Sequence, residues 1–257
     1  MKTLVKERVD DLYDLVTGDE DARVCKDIPE SACNDQPRNF FAYLLANLFN
    51  KVADELTSAK LILPWLMSAL GAPLAFIGFL VPIRETGVLL PQLFVAAAVR
   101  HMPLRKPVWL LGGLLSALSL AGMLLVALTL QGAQAGYALI ALLIVFSLSR
   151  GLCSVSAKDV LGKTVSKSRR GTLMGYSAGI GGLFVLMVGV VLGFMGPASS
   201  SIDVLVLLLG ISVLMWLLAL VSFAAITEVP GATEGGGNAI EVALKGIACL
   251  KTDMQFR

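Results

Sequence analysis

Long apolar segments dominate the chain, and the central one carries two charged residues near its middle. Residues 72–106 read APLAFIGFLVPIRETGVLLPQLFVAAAVRHMPLRK, with Arg84 and Glu85 close to the midpoint of the apolar part. Further apolar segments follow at 107–130, 136–158, 171–195 and 202–226. A helix rises about 1.5 Å per residue, so segments of roughly 20 residues can cross a bilayer core of about 30 Å. The pattern predicts an all-α fold, a polytopic transmembrane helix bundle.

The first part of the bundle can be read in two registers. In the first register, spans cover 39–67 and 73–100; in the second, they cover 61–83 and 86–100. Hydropathy alone prefers 61–83, because this segment contains no charged residue. A span of 86–100 would reach only about 22 Å, which is too short to cross comfortably. Span length therefore favours the first register and six spans in all.

Segment 171–195 differs from the other apolar segments by its many glycines. They include a series in steps of four, Gly171, Gly175 and Gly179, and others follow it. Small residues at this spacing allow neighbouring helix backbones to approach closely in a membrane. We therefore expect this segment to pack tightly against another helix.

The ends of the chain read differently from its centre. Residues 2–17 place apolar side chains on one helical face, and Gly18 ends the pattern. Residues 1–38 are therefore predicted to form a cytosolic tail with an amphipathic helix, ahead of a transmembrane bundle at 39–228. Residues 229–257 are predicted to form a cytosolic linker and a second amphipathic helix.

Composition supports a membrane protein and argues against an enzyme. The 257 residues are 56% hydrophobic and only 16% charged, whereas soluble domains are about 25% charged. No nucleophile–base constellation, phosphate loop or metal motif is recognisable, so no catalytic residue, metal or cofactor is predicted. The four cysteines form no CxxC pair and accompany a single histidine, so we expect free thiols.

Charged residues inside the predicted spans define a candidate transport site. In the first register, Asp54, Arg84 and Arg150 all lie roughly 17–22 Å from a membrane end, near the midplane. Intramembrane charges are usually functional and need partners on other helices. The full set of candidate residues is Asp54, Glu55, Arg84, Glu85, Gln92 and Arg150.

Two ion pairs are predicted within this set, Arg84 with Asp54 and Glu85 with Arg150. Consecutive residues project about 100° apart on a helix, so Arg84 and Glu85 do not pair with each other. Asp54 and Glu85 are candidates to carry a proton during transport. The alternative is that these charges only fix helix packing.

Basic residues in the loops predict the orientation. In the first register, the turns at 68–72, 131–135 and 196–201 contain no Lys or Arg, whereas the opposite loops are rich in both. Both termini are therefore predicted to be cytoplasmic, in a multi-pass protein of the cell membrane. The candidate residues at this end are Arg105, Lys106, Asp159, Arg169 and Arg170. One interpretation is that these charges only determine the membrane topology. The other is that Asp159 forms a specific salt bridge with one of the loop cations.

Three stretches carry a resemblance to a known family. LPWLMSALGAPLAFIGFL, VLLPQLFVAAAVRHMPLRK and SRGLCSVSAKDVLGKTVSKSRRGTLMG resemble the region from the end of helix 1 to loop 2–3 and the helix 4–5 region of the major facilitator superfamily. The resemblance covers residues 40–257, one six-helix half of a twelve-helix fold. In the loop 2–3 motif only Arg105 and Lys106 fit, because Ala and Arg stand where the family has Gly and Asp. Helix 5 lacks the Gly-Pro of drug antiporters, so drug export is not expected.

The resemblance implies a secondary active transporter for a small solute, driven by a proton or sodium gradient. Two six-helix bundles would rock against each other around a midplane site, so the chain is expected to need a second half or a homodimer partner. Membrane lipid is the other expected partner, and no nucleic acid is expected. The alternative from another class is a non-transporting membrane scaffold or sensor that docks a cytosolic partner through its N-terminal tail.

Overall fold

A computed structural model describes residues 2–17, 28–100, 102–196 and 201–231. These residues form helices and no strands. The helices are α1 Lys2–Thr17, α2 Glu30–Asn34, α3 Gln36–Leu56, α4 Ile62–Ala69, α5 Leu74–Arg100, α6 Lys106–Thr129, α7 Gly132–Thr164, α8 Lys167–Met195 and α9 Ile202–Ala224. The predicted C-terminal linker and helix covered residues 229–257, of which 232–257 lie outside the described residues.

Four helices of the described part, α6 to α9, are long and apolar enough to cross a membrane. Their bounds agree with the apolar segments predicted from 107 to 226, although α7 extends further at both ends. These four helices indicate a membrane protein. The 27 residues of α5 continue as one helix through Arg84 and Glu85, a length of about 40 Å.

The turn between α4 and α5 decides between the two registers. Met67 accepts a hydrogen bond from the backbone N–H of Ala72 at 2.9 Å, and Ser68 accepts one from Gly71 at 3.1 Å. This is a Schellman ending, and Gly71 supplies the positive φ of 71° that it requires. Residues 61–83 are therefore not one helix, so the second register is wrong. The turn falls where the first register put it.

The predicted first span, 39–67, is not continuous. It consists of α3 and α4, which are separated by a non-helical segment from Thr57 to Leu61. Here side chains compete with the helical hydrogen bonds: Thr57 Oγ1 donates to the carbonyl of Ala53 at 2.8 Å, and Ser58 Oγ accepts from the N–H of Lys60 at 3.3 Å. The break was not predicted, because the polar residues here belong to a region of mixed polarity.

The helices pack in a chain of neighbours. α7 packs against α5 and α6, α9 packs against α6 and α3, and α3 also packs against α8. Aromatic rings fill the centre: Trp109 stacks on Phe223 at 3.8 Å, and Trp216 lies edge to face with Phe146. The core therefore ties α6, α7 and α9 together.

Close helix approach occurs on α6, where it involves Gly112. A Cβ on Gly112 would lie 2.9 Å from Cys153 Sγ. On α8, by contrast, a Cβ at Gly171, Gly175 or Gly179 would meet no described atom within 4 Å. The α8 glycine series therefore makes no close helix contact within the described residues.

The predicted N-terminal helix is present as α1 and docks on the bundle. Tyr13 is buried and contacts Phe40 edge to face, with ring centroids 5.4 Å apart. Tyr176 Oη of α8 donates to the carbonyl of Val16 at 3.1 Å. The expectation of free thiols is wrong at Cys33, which is disulfide-bonded, whereas Cys153 is free and buried.

Candidate functional site

Asp54 joins two arginines from different helices. Asp54 Oδ1 lies 3.1 Å from Arg84 Nη2, and Asp54 Oδ2 lies 2.5 Å from Arg150 Nη2. The three side chains come from α3, α5 and α7 and are between 18 and 22% exposed. A mostly buried carboxylate therefore connects three helices through charge-assisted hydrogen bonds, which are stronger than neutral ones.

Aromatic rings support both guanidinium groups. Arg84 Cζ lies 4.6 Å from the ring centroid of Phe146, and Arg150 Cζ lies 5.1 Å from that of Trp216. Both distances are within the range of cation–π attraction. Because both rings are buried in the core, they fix where the two positive charges stand.

The cluster keeps unused hydrogen-bonding capacity. Among the described residues, no partner is found for Arg84 Nη1, Arg150 Nε, Ser147 Oγ or Trp216 Nε1, all of which are buried atoms. Asp54 uses one oxygen for each arginine. Two guanidinium charges therefore face one carboxylate, which leaves an excess charge of one positive unit together with free donors.

The predicted pair of Arg84 with Asp54 is present, whereas that of Glu85 with Arg150 is wrong. Glu85 Oε1 instead lies 3.4 Å from Lys60 Nζ, and 63% of the Glu85 side chain is exposed. The reason is the helical offset between Arg84 and Glu85: when the arginine faces Asp54, the glutamate projects elsewhere. Glu85 thus lies outside the cluster.

Glu55 also faces away from the cluster. It is exposed and lines a cleft of about 100 Å³ between α3, α4 and α8, together with Ser58 and Phe184. Being next to Asp54 in sequence, it projects about 100° away from it. The cluster therefore contains a single carboxylate among the described residues.

Gln92 extends the polar lining along α5. Its Nε2 lies 3.5 Å from Ser154 Oγ on α7, one turn beyond Arg150. The two helices come close because of Gly87, where a Cβ would lie 2.6 Å from the Cβ of Ser147. Gly87 therefore allows the contact that brings Arg84 and Arg150 to the same carboxylate.

The break between α3 and α4 begins three residues after Asp54. The carbonyl of Ala53 accepts hydrogen bonds from Thr57 Oγ1 at 2.8 Å and from Ser212 Oγ of α9 at 2.9 Å. These side chains satisfy a backbone group that the interrupted helix leaves without its usual partner. Sequence reasoning missed this feature, and its only signal was the pair of hydroxyl residues after Leu56.

The loop charges at the other end of the bundle are engaged in specific contacts. Arg105 Nη1 lies 3.0 Å from Asp159 Oδ2, so the predicted salt bridge from Asp159 to a loop cation is present. Arg170 donates from Nε to the carbonyl of Val165 at 2.9 Å and from Nη2 to that of Gly162 at 2.7 Å. Arg170 thereby caps the last carbonyls of α7.

Arg169 secures the N-terminal helix. Its guanidinium is buried, donates from Nη1 to the carbonyl of Thr17, and lies 6.0 Å from the ring centroid of Tyr13. Gln36 Nε2 donates to Tyr13 Oη at 2.6 Å. Burial raises the pKa of Tyr13 above its usual value, partly offset by these neighbours. The phenol therefore stays neutral at physiological pH.

Sequence reasoning also missed Glu228. Its side chain is 2% exposed and lies 3.0 Å from Lys163 Nζ. It also accepts hydrogen bonds from the backbone N–H groups of Arg105, at 2.9 Å, and Lys106, at 2.7 Å. Glu228 therefore caps the start of α6, where a negative charge is favoured. The only signal in the sequence was an acidic residue at the end of an apolar segment.

Comparisons with known proteins add no relative. No protein-family model matches the chain, and no curated protein or solved structure does so either. The class of protein therefore rests on the fold and the site: a helical membrane protein with a charged cluster between its helices.

Proposed function

We propose that the chain is one six-helix bundle of a secondary active transporter of the major facilitator type, moving a small solute through the cell membrane. In this proposal α3 and α4 together form the first span, α5 the second, and α6 to α9 the remaining four. The observation that carries it is the Asp54–Arg84–Arg150 cluster, because three charged side chains from three helices meet at one point. Buried charges at membrane depth are typical of transport pathways.

The interrupted helix beside Asp54 supports the same function. Non-helical backbone at membrane depth is tolerated where it is buried in protein or lines a water-filled cavity. Transporters commonly place substrate and ion sites at such discontinuous helices. Here the break from Thr57 to Leu61 begins three residues after Asp54, the carboxylate of the cluster.

The exposed face of α8 supports a second bundle. Only 11% of the most apolar part of α8 is buried inside the protein, against 50% for α6. A Cβ at Gly171, Gly175 or Gly179 of α8 would meet no described atom within 4 Å. Glycine faces typically allow close contact between membrane helices. We therefore propose that α8 packs against a second six-helix half, from another copy of the chain or from another polypeptide.

The position of Asp54 between two arginines supports coupling to an ion gradient. If the negative charge of Asp54 is compensated differently at one stage of the cycle, the balance with both arginines is lost, so the contacts between α3, α5 and α7 change together. A charge change of this kind can bias one bundle conformation over another. The proposal therefore keeps a proton or sodium gradient as the driving force and assigns its effect to the charge balance of this cluster.

The test is solute uptake into liposomes that contain the purified protein. A panel of labelled solutes is applied with and without a proton or sodium gradient, and the uptake is counted, so that electroneutral transport is detected as well. We expect gradient-dependent uptake of at least one solute by the native protein, no uptake by Asp54→Asn, and unchanged uptake by the control Glu85→Gln. If the native protein takes up no solute, or if Asp54→Asn retains the full uptake, the proposal is refuted.

The alternative scaffold function has less support. A docking tail would present its helix to a partner, but α1 uses Tyr13 and its last carbonyl groups for contacts within its own bundle. Deletion of residues 2–17 separates the two functions. Transport that survives the deletion agrees with the transporter, whereas a cellular phenotype lost only with the tail would favour the scaffold.

A further inference from the structure

We infer that the Asp54–Arg84–Arg150 cluster binds the carboxylate group of a small organic monoanion. The inference deepens the proposed function by naming its substrate class, and it rests on that function for its place in a transport cycle. The observation behind it is an imbalance: two guanidinium groups share one carboxylate.

The charge of the ligand follows from simple balance. With Asp54 ionised, the cluster carries one net positive charge, and an uncompensated charge at membrane depth is costly. Glu85 does not compensate it, because Glu85 is exposed and paired with Lys60. Glu55 is exposed and lines a different cleft. One added negative charge would make the cluster neutral, whereas a dianion would overshoot.

The chemistry of the ligand follows from the free donors. Arg84 Nη1 and Arg150 Nε are buried and have no partner among the described residues. Arginine is the side chain best suited to hold a planar carboxylate, because it presents several N–H groups in one plane. Two arginines at one carboxylate thus leave donors suited to a second one.

A second observation points to the same place. Trp216 and Ser147 are both fully buried, yet Trp216 Nε1 and Ser147 Oγ have no hydrogen-bond partner in the described structure. The Trp216 ring lies against Arg150, and Ser147 precedes Arg150 by three residues on α7. Buried donors without partners are rare in folded proteins. A bound polar ligand would give them partners.

The binding test needs no transport and therefore separates the two proposals. The full chain is titrated calorimetrically in neutral detergent and chloride-free buffer. The probes are sodium acetate, lactate, pyruvate and benzoate, each compared with its neutral amide, and with sodium succinate and inorganic phosphate as dianions. We expect saturable binding of at least one monocarboxylate and no binding of its amide. Binding without transport would refute only the proposed function.

Variants locate the site. Arg84→Gln and Arg150→Gln should each weaken binding by about tenfold or more, the usual effect of losing a charge-assisted hydrogen bond. Lys51→Gln is the matched control: Lys51 donates a hydrogen bond to the carbonyl of Ala178 in α8 and lies against Gly181, so its replacement should leave binding unchanged. Arg150→Lys keeps the charge but loses the planar donor pair, so it should bind more weakly than the native protein.

The inference fails under four outcomes. It is overturned if no monocarboxylate binds more tightly than its amide, or if the dianions bind more tightly than every monocarboxylate. It is also overturned if chloride alone displaces the bound carboxylate with the same affinity, since the site would then hold an inorganic anion. Uptake of neutral or cationic solutes alone would leave the proposed function standing and refute this inference.

Discussion

Glu228 lies beyond the last apolar helix, yet its carboxylate accepts a hydrogen bond from the backbone N–H of Arg105 at 2.9 Å, at the start of α6. The same carboxylate contacts Lys163 Nζ at 3.0 Å. The segment after α9 is thereby fixed to the loop before α6 and to the end of α7. Removing one partner of a buried ion pair leaves the other charge uncompensated.

We therefore expect Glu228→Ala to lower the free energy of unfolding by about 3 kcal/mol. In a chain of this size that corresponds to an apparent melting temperature about 6–12 °C lower. Thermal unfolding in detergent, followed by size-exclusion chromatography, measures the change. Asp203→Asn is the control, because Asp203 is an exposed acidic residue in the first turn of α9. Equal melting temperatures for both variants would contradict the cap.

Asp54 and Glu85 should respond differently to loss of charge. Asp54→Asn leaves two mostly buried guanidinium groups without a counter-charge, so we expect a stability loss of about 3 kcal/mol. Glu85→Gln breaks an exposed pair and should change stability by less than about 0.5 kcal/mol.

A double variant tests whether charge balance is the cause. In Asp54→Asn combined with Arg150→Gln, one of the two positive charges is removed, so part of the lost stability should return. The melting temperature of purified protein measures both effects. If the double variant is less stable than Asp54→Asn alone by the full cost of Arg150→Gln, the two residues do not interact.

The sequence predicted most of the helical architecture because apolar length is a direct consequence of bilayer thickness. It also placed the turn before α5, since a 15-residue span was too short. The break after Leu56 escaped it because the small polar residues there occur within a region of mixed polarity. Hydropathy describes how apolar a segment is, but it does not show where side chains replace the helical hydrogen bonds.

The site was predicted only in part, for a geometric reason. The level of a residue along the bundle follows from counting residues, and Asp54, Arg84 and Arg150, predicted at one level, do meet. Which charges meet depends on the rotation of each helix, and the sequence alone does not give it. Arg150 therefore has Asp54 as its partner and not Glu85. Glu228 was missed because its partners are mostly backbone groups distant in sequence.

The contact of α5 with α7 gives a prediction at Gly87. A Cβ there would lie 2.6 Å from the Cβ of Ser147, so Gly87→Ala must push the two helices apart. Overpacking of this kind typically costs about 1–3 kcal/mol. Because Arg84 and Arg150 come from these two helices, the variant should also weaken monocarboxylate binding in calorimetry.

Gly175→Ala is the matched control for Gly87→Ala. No described atom lies within 4 Å of a Cβ at Gly175, and alanine is the better helix former by about 1 kcal/mol. The isolated chain should thus be unchanged or slightly more stable. If Gly175→Ala lowers its stability as much as Gly87→Ala does, close packing at Gly87 is not the cause of the difference.

The last prediction concerns which end of the bundle faces the cytoplasm. The N–H of Gly132 donates to the carbonyl of Leu70 at 2.8 Å, so the turns before α5 and α7 share one end of the bundle. Basic residues dominate the opposite end. Short loops rich in Lys and Arg usually lie in the cytoplasm, so this end is predicted to be cytoplasmic. In a chain whose native cysteines are replaced by serine, Gln131→Cys should react with a membrane-impermeant maleimide in intact cells. Lys167→Cys should react only after permeabilisation.

The reverse labelling pattern would overturn this orientation. The disulfide at Cys33 is an observation that favours the reverse orientation. Disulfides persist in oxidising compartments and are rare in the cytosol. Cys33 lies shortly before α3, in the region that the basic residues assign to the cytoplasm. Labelling of Lys167→Cys in intact cells would place Cys33 on the oxidising side and leave Arg105, Lys163 and their neighbours as structural contacts without a role in topology. Protection of Lys167→Cys would instead show that the loop charges decide the orientation.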